Sequence, residues 1–152
     1  LGATTPTFDL ESKPENFSDT SFITGELLLQ AVGRLTGPIQ QVPPIHSAIK
    51  KDGKRVYELA RKGKEVKLDP RPVVIRAFEI TDGSLPVVQF RVVCSTGTYI
   101  RSLANDLGAI LGCGGYLSSL CRTRIGDFRL DQAMTIEEAG KYIQARLIRK
   151  DN

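Results

Sequence analysis

The stretch 73–111, VVIRAFEITDGSLPVVQFRVVCSTGTYIRSLANDLGAIL, decides the fold. Its first part, Val73 to Ile80, and its second, Val87 to Cys94, are rich in β-branched residues and read as strands. Asp82-Gly83 lies between them and suits a hairpin connection, five or six residues long and so looser than the tightest turns. Ser95 to Thr98 then turns the chain. From Tyr99 to Leu111 the apolar residues Ile100, Leu103, Ala104, Leu107 and Leu111 recur at helical spacing, and Gly112 to Gly115 ends the helix. Two neighbouring strands followed by a helix argue against regular βαβ alternation. The fold class expected is therefore α+β (mixed α/β), with a mainly antiparallel sheet flanked by helices.

Working outward, Leu27, Leu28, Ala31, Val32 and Leu35 place a helix over about Thr24–Leu35, which Gly37-Pro38 ends. Pro43-Pro44 forces an extended or turning backbone between Ile39 and His46. A short helix is expected over Arg55–Lys62, stopped by Gly63. Leu1 to Phe8 reads as β-like, and Arg122 to Leu130 as a further strand. A last short helix begins near Met134, with Thr135 as N-cap and Glu137 and Glu138 at its positive end.

Composition narrows the class. In 152 residues, 41% are hydrophobic and 25% charged, which excludes wholesale disorder and is enough to bury a core. No apolar run reaches the roughly 18 residues that span a bilayer, and no signal peptide is legible, so no membrane partner is expected. Cys94, Cys113 and Cys121 form no CxxC, and His46 is the only histidine. Neither a metal site nor a disulfide framework is expected, and the thiols read as buried and free in a reducing cytoplasm.

The net charge is +4. From Lys50 to Arg76 there are ten Lys or Arg against four acids, an excess of six that leaves the rest of the chain slightly acidic. Tyr57 interleaves an aromatic with these cations. Such a stretch is either an RNA-binding face or simply a solvated one.

The other chemical candidate is Ser95 to Arg101, at a strand-to-helix junction. Tyr99 offers a stacking face and Arg101 a fixed positive charge two residues on. On the residues alone, the plainer reading packs Tyr99 on the core and leaves Arg101 in solvent. No GxGxxG, Walker A or GxSxG sequence is present, and the carboxylates show no paired spacing.

Three ordered segments go further. Leu1 to Asp9 resembles LGxxTxTxD. Gln41 to Gly63 resembles QxPPxxSAxKxxGxRxYExARxG. Cys94 to Gly114 resembles CSxGTYIRxLxxDLGxxLGxG. Leu117 to Arg122 follows, with Cys121 where an Arg is usual. All are similar to segments of the TruB family of tRNA pseudouridine synthases.

The resemblance implies a pseudouridine synthase fold and an isomerase. It would convert a uridine in the T-loop of tRNA to pseudouridine, without metal or organic cofactor. It implies Tyr99 against the flipped base and Arg101 paired with a nucleophilic Asp. Leu120 would line the apolar wall of the uracil pocket, and Lys50 would reach toward the pocket or a nearby phosphate. Lys51, Lys54, Arg55, Arg61, Lys62 and Lys64 would meet the RNA backbone.

The family's nucleophile segment, GxLDPxATGxL, lies upstream of LGxxTxTxD and is not found here. Asp69-Pro70 lacks its flanks, and Asp9 is not at the nucleophile position. Residues 1–152 are thus expected to be the carboxy-terminal two-thirds of a synthase catalytic domain without a PUA-type domain. The chain is expected to be monomeric, part of a stand-alone bacterial enzyme, and inactive by itself. The alternative is a non-catalytic RNA-binding module of the same fold.

Overall fold

The computed structural model describes residues 1–47, 50–51, 54–55 and 68–148. The chain divides into two compact units, Leu1–Ser119 and Leu120–Asn152.

The first unit is built on the hairpin that the sequence implies. Strands β1 (Gly37–Gln41), β4 (Arg71–Asp82) and β5 (Gln89–Cys94) form one antiparallel sheet in the order β1-β4-β5. A two-residue pair, β2 (Lys50–Lys51) and β3 (Lys54–Arg55), forms a separate antiparallel ribbon. Helices α1 (Gly25–Arg34) and α2 (Ile100–Leu111) pack with the main sheet around one core. Leu28 and Val32 of α1, Leu103 and Leu107 of α2, and Val73, Ile75 and Phe78 of β4 are its buried members. Thr24 caps α1, its Oγ1 accepting from the Leu27 N–H at 3.2 Å.

Strand β4 breaks strict alternation. Val73 and Ile75 face the core, and continued alternation would then turn Ala77 and Glu79 inward. A register shift between Ile75 and Ala77 inserts one residue and changes the phase. Phe78 is consequently buried against Phe90, ring centroids 5.1 Å apart. Glu79 faces outward and pairs with Arg91 at 3.0 Å. The bulge thus keeps a carboxylate out of the core.

Several expectations need correction. Gly37-Pro38 opens β1 rather than only ending α1. Because β1 is an edge strand, a proline there is tolerated. Leu1 to Phe8 forms no strand. It makes single bridges through Thr4 to Glu15 and, one residue on, Asp9 to Leu117, with Pro6 lacking the N–H a longer ladder needs. The helix expected over Arg55–Lys62 lies, from residue 56 on, outside the described residues, while Arg55 belongs to β3. The three thiols are free, as expected, but only Cys113 is buried; Cys94 is half-buried and Cys121 exposed.

Two glycines bring α2 to its place. Gly112 takes the left-handed C-cap conformation, φ +75°, which ends the helix without a Cβ penalty. A Cβ on Gly108 would lie 2.1 Å from the Gly115 nitrogen, so only glycine admits this approach. The segment held there reaches the amino-terminal residues: Gly2 N–H donates to Gly114 O at 3.1 Å, and Leu117 N–H to Phe8 O at 2.9 Å.

The second unit contains a small hairpin, β6 (Arg124–Ile125) with β7 (Phe128–Arg129), a 3-10 turn at Leu130–Gln132 and helix α3 (Ile136–Ile148). The single strand expected over Arg122–Leu130 is therefore folded back on itself at Gly126, whose φ of +56° makes the turn. Helix α3 begins as expected, in a capping box. Glu138 N–H donates to Thr135 Oγ1 at 3.2 Å, and Thr135 N–H to Glu138 Oε2 at 2.8 Å.

Candidate active site

Arg101 sits in the first turn of α2, where a cation opposes the positive end of the helix dipole. Something must offset that cost, and the structure supplies three acceptors. Nη1 donates to Asp9 Oδ2 at 2.8 Å and to the Thr7 carbonyl at 3.3 Å, while Nη2 donates to the His46 carbonyl at 3.0 Å. The two charged side chains keep only 21% and 18% exposure. Arg101 is therefore not a solvated first-turn residue, the plainer of the two sequence readings.

Asp9 is organised in turn. Its Oδ1 accepts from Thr7 Oγ1 at 2.6 Å and from the Glu11 N–H at 3.0 Å, an Asx-type turn. Ser12 Oγ accepts from the Thr7 N–H at 3.1 Å and lies 2.6 Å from Thr7 Oγ1. Since the Thr7 hydroxyl proton points to Asp9, Ser12 donates to Thr7. Phe8 adopts φ +63° between them, a conformation that L residues take at some cost and that clusters at functional sites. Burial pushes the Asp9 carboxyl up. The hydrogen bonds from Thr7, Glu11 and Arg101, with the Arg101 charge, outweigh it and hold the pKa below 3.8.

A second set of hydrogen bonds fixes the backbone at the start of α2. Tyr99 N–H donates to Gln41 Oε1 at 2.8 Å, and Gln41 Nε2 donates to the Tyr99 carbonyl at 3.1 Å. Ser102, fully buried, donates from Oγ to the Val42 carbonyl at 2.8 Å. Tyr99 is half-buried, and its side chain does not cap α2. One turn on, burial pushes the Asp106 carboxyl up, against a weaker lowering by Asn105.

Of the residues singled out from sequence, the structure brings Tyr99 and Arg101 to one helix start. Lys50 and Lys51 lie on β2, Lys54 and Arg55 on β3, in the register Lys50↔Arg55 and Lys51↔Lys54. Arg61, Lys62 and Lys64 lie outside the described residues. Leu120 opens the second unit and is 57% exposed. Sequence reading set Asp9 aside because it is not at the nucleophile position, and so missed it as the partner of Arg101, 92 residues away. It also missed Gln41, 58 residues from Tyr99. The Thr7–Asp9 spacing is the one local signal of the Asx turn. Among the described residues no group of three or more His, Cys, Asp or Glu gathers as a metal site, and no helix is long and apolar enough to cross a membrane.

Known proteins share this arrangement of segments. Residues 1–100 match the family model for TruB family pseudouridylate synthase (N terminal domain), and residues 101–148 that for the tRNA pseudouridylate synthase B C-terminal domain. A tRNA pseudouridine synthase B of Parabacteroides distasonis is 48% identical over 149 residues, covering 98% of this chain and 63% of that protein. Its counterpart in Phocaeicola vulgatus is 46% identical over 148 residues, covering 97% and 63%. Among solved structures, a chain of a Cbf5-Nop10-Gar1 complex superposes with a TM-score of 0.57 at 31% identity. It covers 72% of this chain and 28% of its own length. The chain thus spans about 63% of the length of these curated relatives. With family models matching residues 1–100 and 101–148 and the mixed, antiparallel fold shared with a solved relative, the chain belongs to the TruB family of pseudouridylate synthases.

Proposed function

We propose that this chain carries the arginine-bearing part of a tRNA pseudouridine synthase, an isomerase that converts a T-loop uridine to pseudouridine. The observation that carries the reading is the partly buried Arg101 guanidinium, held by one carboxylate and two backbone carbonyls beside Tyr99. A guanidinium fixed in this way stays charged and needs no reorganisation when negative charge develops nearby. Among the described residues its three bonds use both Nη1 protons and one of Nη2. The remaining protons suit a second carboxylate, the nucleophile, which they would hold ionised.

Asp9 is a poor candidate for that nucleophile. Both of its oxygens are already engaged, Oδ1 by Thr7 Oγ1 and the Glu11 N–H and Oδ2 by Arg101, which leaves little freedom to attack a sugar carbon. The reading therefore places the attacking Asp outside this chain and makes the chain by itself inactive. Tyr99 would stack on or bond the flipped uracil. The isomerisation needs no metal or organic cofactor, because the uracil leaves and rejoins the same sugar. The free thiols suit a reducing compartment, the cytoplasm, and a monomer suffices for every interaction invoked.

RNA binding falls to the basic ribbon. The backbone ribbon β2–β3 brings four basic residues of the stretch together, so Lys50, Lys51, Lys54 and Arg55 are assigned to the tRNA backbone. Arg61, Lys62 and Lys64 extend the same basic stretch.

The test is tritium release from uracil-labelled tRNA. It compares this chain with the polypeptide as encoded, including whatever residues its gene places ahead of Leu1. Pseudouridine formation by the encoded polypeptide and none by residues 1–152 is the expected result. Activity in residues 1–152 would make Asp9 or Asp69 the nucleophile and overturn the assignment. Tight tRNA binding without turnover in both would favour the RNA-binding module.

A further inference from the structure

The residues from Gln41 to His46 grip the first turn of α2 at separate points. Gln41 bonds the Tyr99 backbone through both ends of its side-chain amide. The Val42 carbonyl accepts from Ser102, and the His46 carbonyl from Arg101. Between these points lie Pro43 and Pro44, both buried, whose rings fix φ. A span so stiff, pinned at its two ends, behaves as a strut between the sheet and the guanidinium.

Gln41 is the anomalous member. It is 1% exposed at the end of β1, in a place where an apolar side chain would pack without desolvating an amide. Its own backbone is held by β4, in register with Arg71. Its Oε1 faces an N–H and its Nε2 faces a carbonyl, so the amide has one satisfied orientation, and a flip would oppose like dipoles. The Tyr99 carbonyl also accepts from the Leu103 N–H at 3.1 Å, the first intrahelical bond of α2. Gln41 therefore holds the peptide from which the helix starts, two residues before Arg101. The Tyr99 N–H, which no intrahelical carbonyl accepts, is satisfied by Gln41 Oε1.

We infer that Gln41 is a positioning residue for the reaction: by pairing with both backbone groups of Tyr99 it sets the helix start that presents Tyr99 and places the Arg101 guanidinium between Asp9 and the His46 carbonyl. This rests on the synthase reading for its catalytic consequence. The geometric claim about Arg101 stands without it. Gln41 touches no reacting atom. Its effect passes through Tyr99 and Arg101, and misplacing a catalytic group by about 1 Å costs on the order of 100-fold in rate.

The experiment compares Gln41→Met, which keeps the volume and removes both bonds, with Gln41→Glu, which keeps the acceptor but sets an oxygen against the Tyr99 carbonyl. Val32→Ala, in the core on α1, serves as a control for stability loss alone. Two quantities are read. One is the pair kcat and KM for pseudouridine formation by the polypeptide as encoded. The other is the nitrogen-15 NMR signature of the Arg101 guanidinium in residues 1–152, where a side chain held on three acceptors shows slowed rotation and resolved Nη protons.

The expected result is a kcat lowered about 100-fold with KM within about threefold. In the same variant the Arg101 signals collapse toward those of solvated arginines, while Val32→Ala changes neither. A folded Gln41→Met protein that keeps the Arg101 signature, or whose activity falls only as far as that of Val32→Ala, overturns the inference. Should the Met variant not fold, the Glu variant is judged by the same two results. A wild-type polypeptide that makes no pseudouridine refutes the synthase reading, and the Arg101 signature then decides the positioning claim alone.

Discussion

Replacing Asp9 by Asn isolates the ion pair at the centre of the site. The amide has nearly the shape of the carboxylate but cannot accept on both sides. Asp9 accepts at Oδ1 from Thr7 and the Glu11 N–H and at Oδ2 from Arg101. Whichever way an Asn is turned, its NH2 group therefore meets a donor. Removing one partner of a fully buried pair costs about 3–5 kcal/mol, whereas an exposed pair contributes about 0–1 kcal/mol. Here the side chains are 18% and 21% exposed, and Arg101 retains two carbonyl acceptors. An intermediate loss of about 2 kcal/mol is expected.

The pH dependence gives that loss a signature. The folded-state pKa of Asp9 lies below its ordinary 3.8, so the carboxylate contributes stability above that value and loses it as pH falls through the folded pKa. The gap between wild type and Asp9→Asn should be constant from neutral pH to about pH 5 and narrow progressively below it. Because the chain has two units, urea unfolding is followed at the amide signals of Ile75 and Leu103, which report the first unit alone. A loss under about 0.5 kcal/mol, within the scatter of an ordinary surface change, would refute the pairing as a structural determinant. So would a gap that does not narrow between about pH 5 and pH 2.

Three further outcomes are expected. Arg101→Lys keeps the charge but loses the planar fork that reaches Asp9 and two carbonyls. Turnover by the encoded polypeptide should fall about 100-fold or more while tRNA affinity changes less than about threefold, and equal losses in both would remove Arg101 from the chemistry. Replacing Lys50, Lys51, Lys54 and Arg55 together by Gln should reduce the slope of log affinity against log salt by about 0.7–0.9 for each phosphate no longer neutralised; an unchanged slope would move the RNA to another face. Gly108→Ala drives a Cβ into the backbone at Gly115, 2.1 Å away. It should cost about 3 kcal/mol in the same urea experiment, and a loss under about 1 kcal/mol would show that the 114–117 segment can shift freely.

Local signals determined much of this molecule. The β-branched runs of β4 and β5, the helical spacing of α2 and the capping residues Thr24 and Thr135 are properties of neighbouring residues. A sequence displays them because side-chain period and cap chemistry act over a few positions. The segments around Gln41–Lys50 and Cys94–Gly114 likewise identified the family, since their spacing is written along the chain. Local reading misled at Gly126, which folded an expected strand into a hairpin, and no local signal marks the bulge after Ile75 that changes which side of β4 is buried.

The site itself belongs to the tertiary structure. Arg101 has an evident charge in the sequence, but its partner Asp9 lies 92 residues away, and Gln41 lies 58 residues from Tyr99. Those meetings depend on the closeness of Gly108 to Gly115, on Leu117 bonding Phe8, and on the register of β1 with β4. Each is set by backbone packing between distant segments. Such packing has no period and no local propensity, so it becomes legible only when the chain is folded.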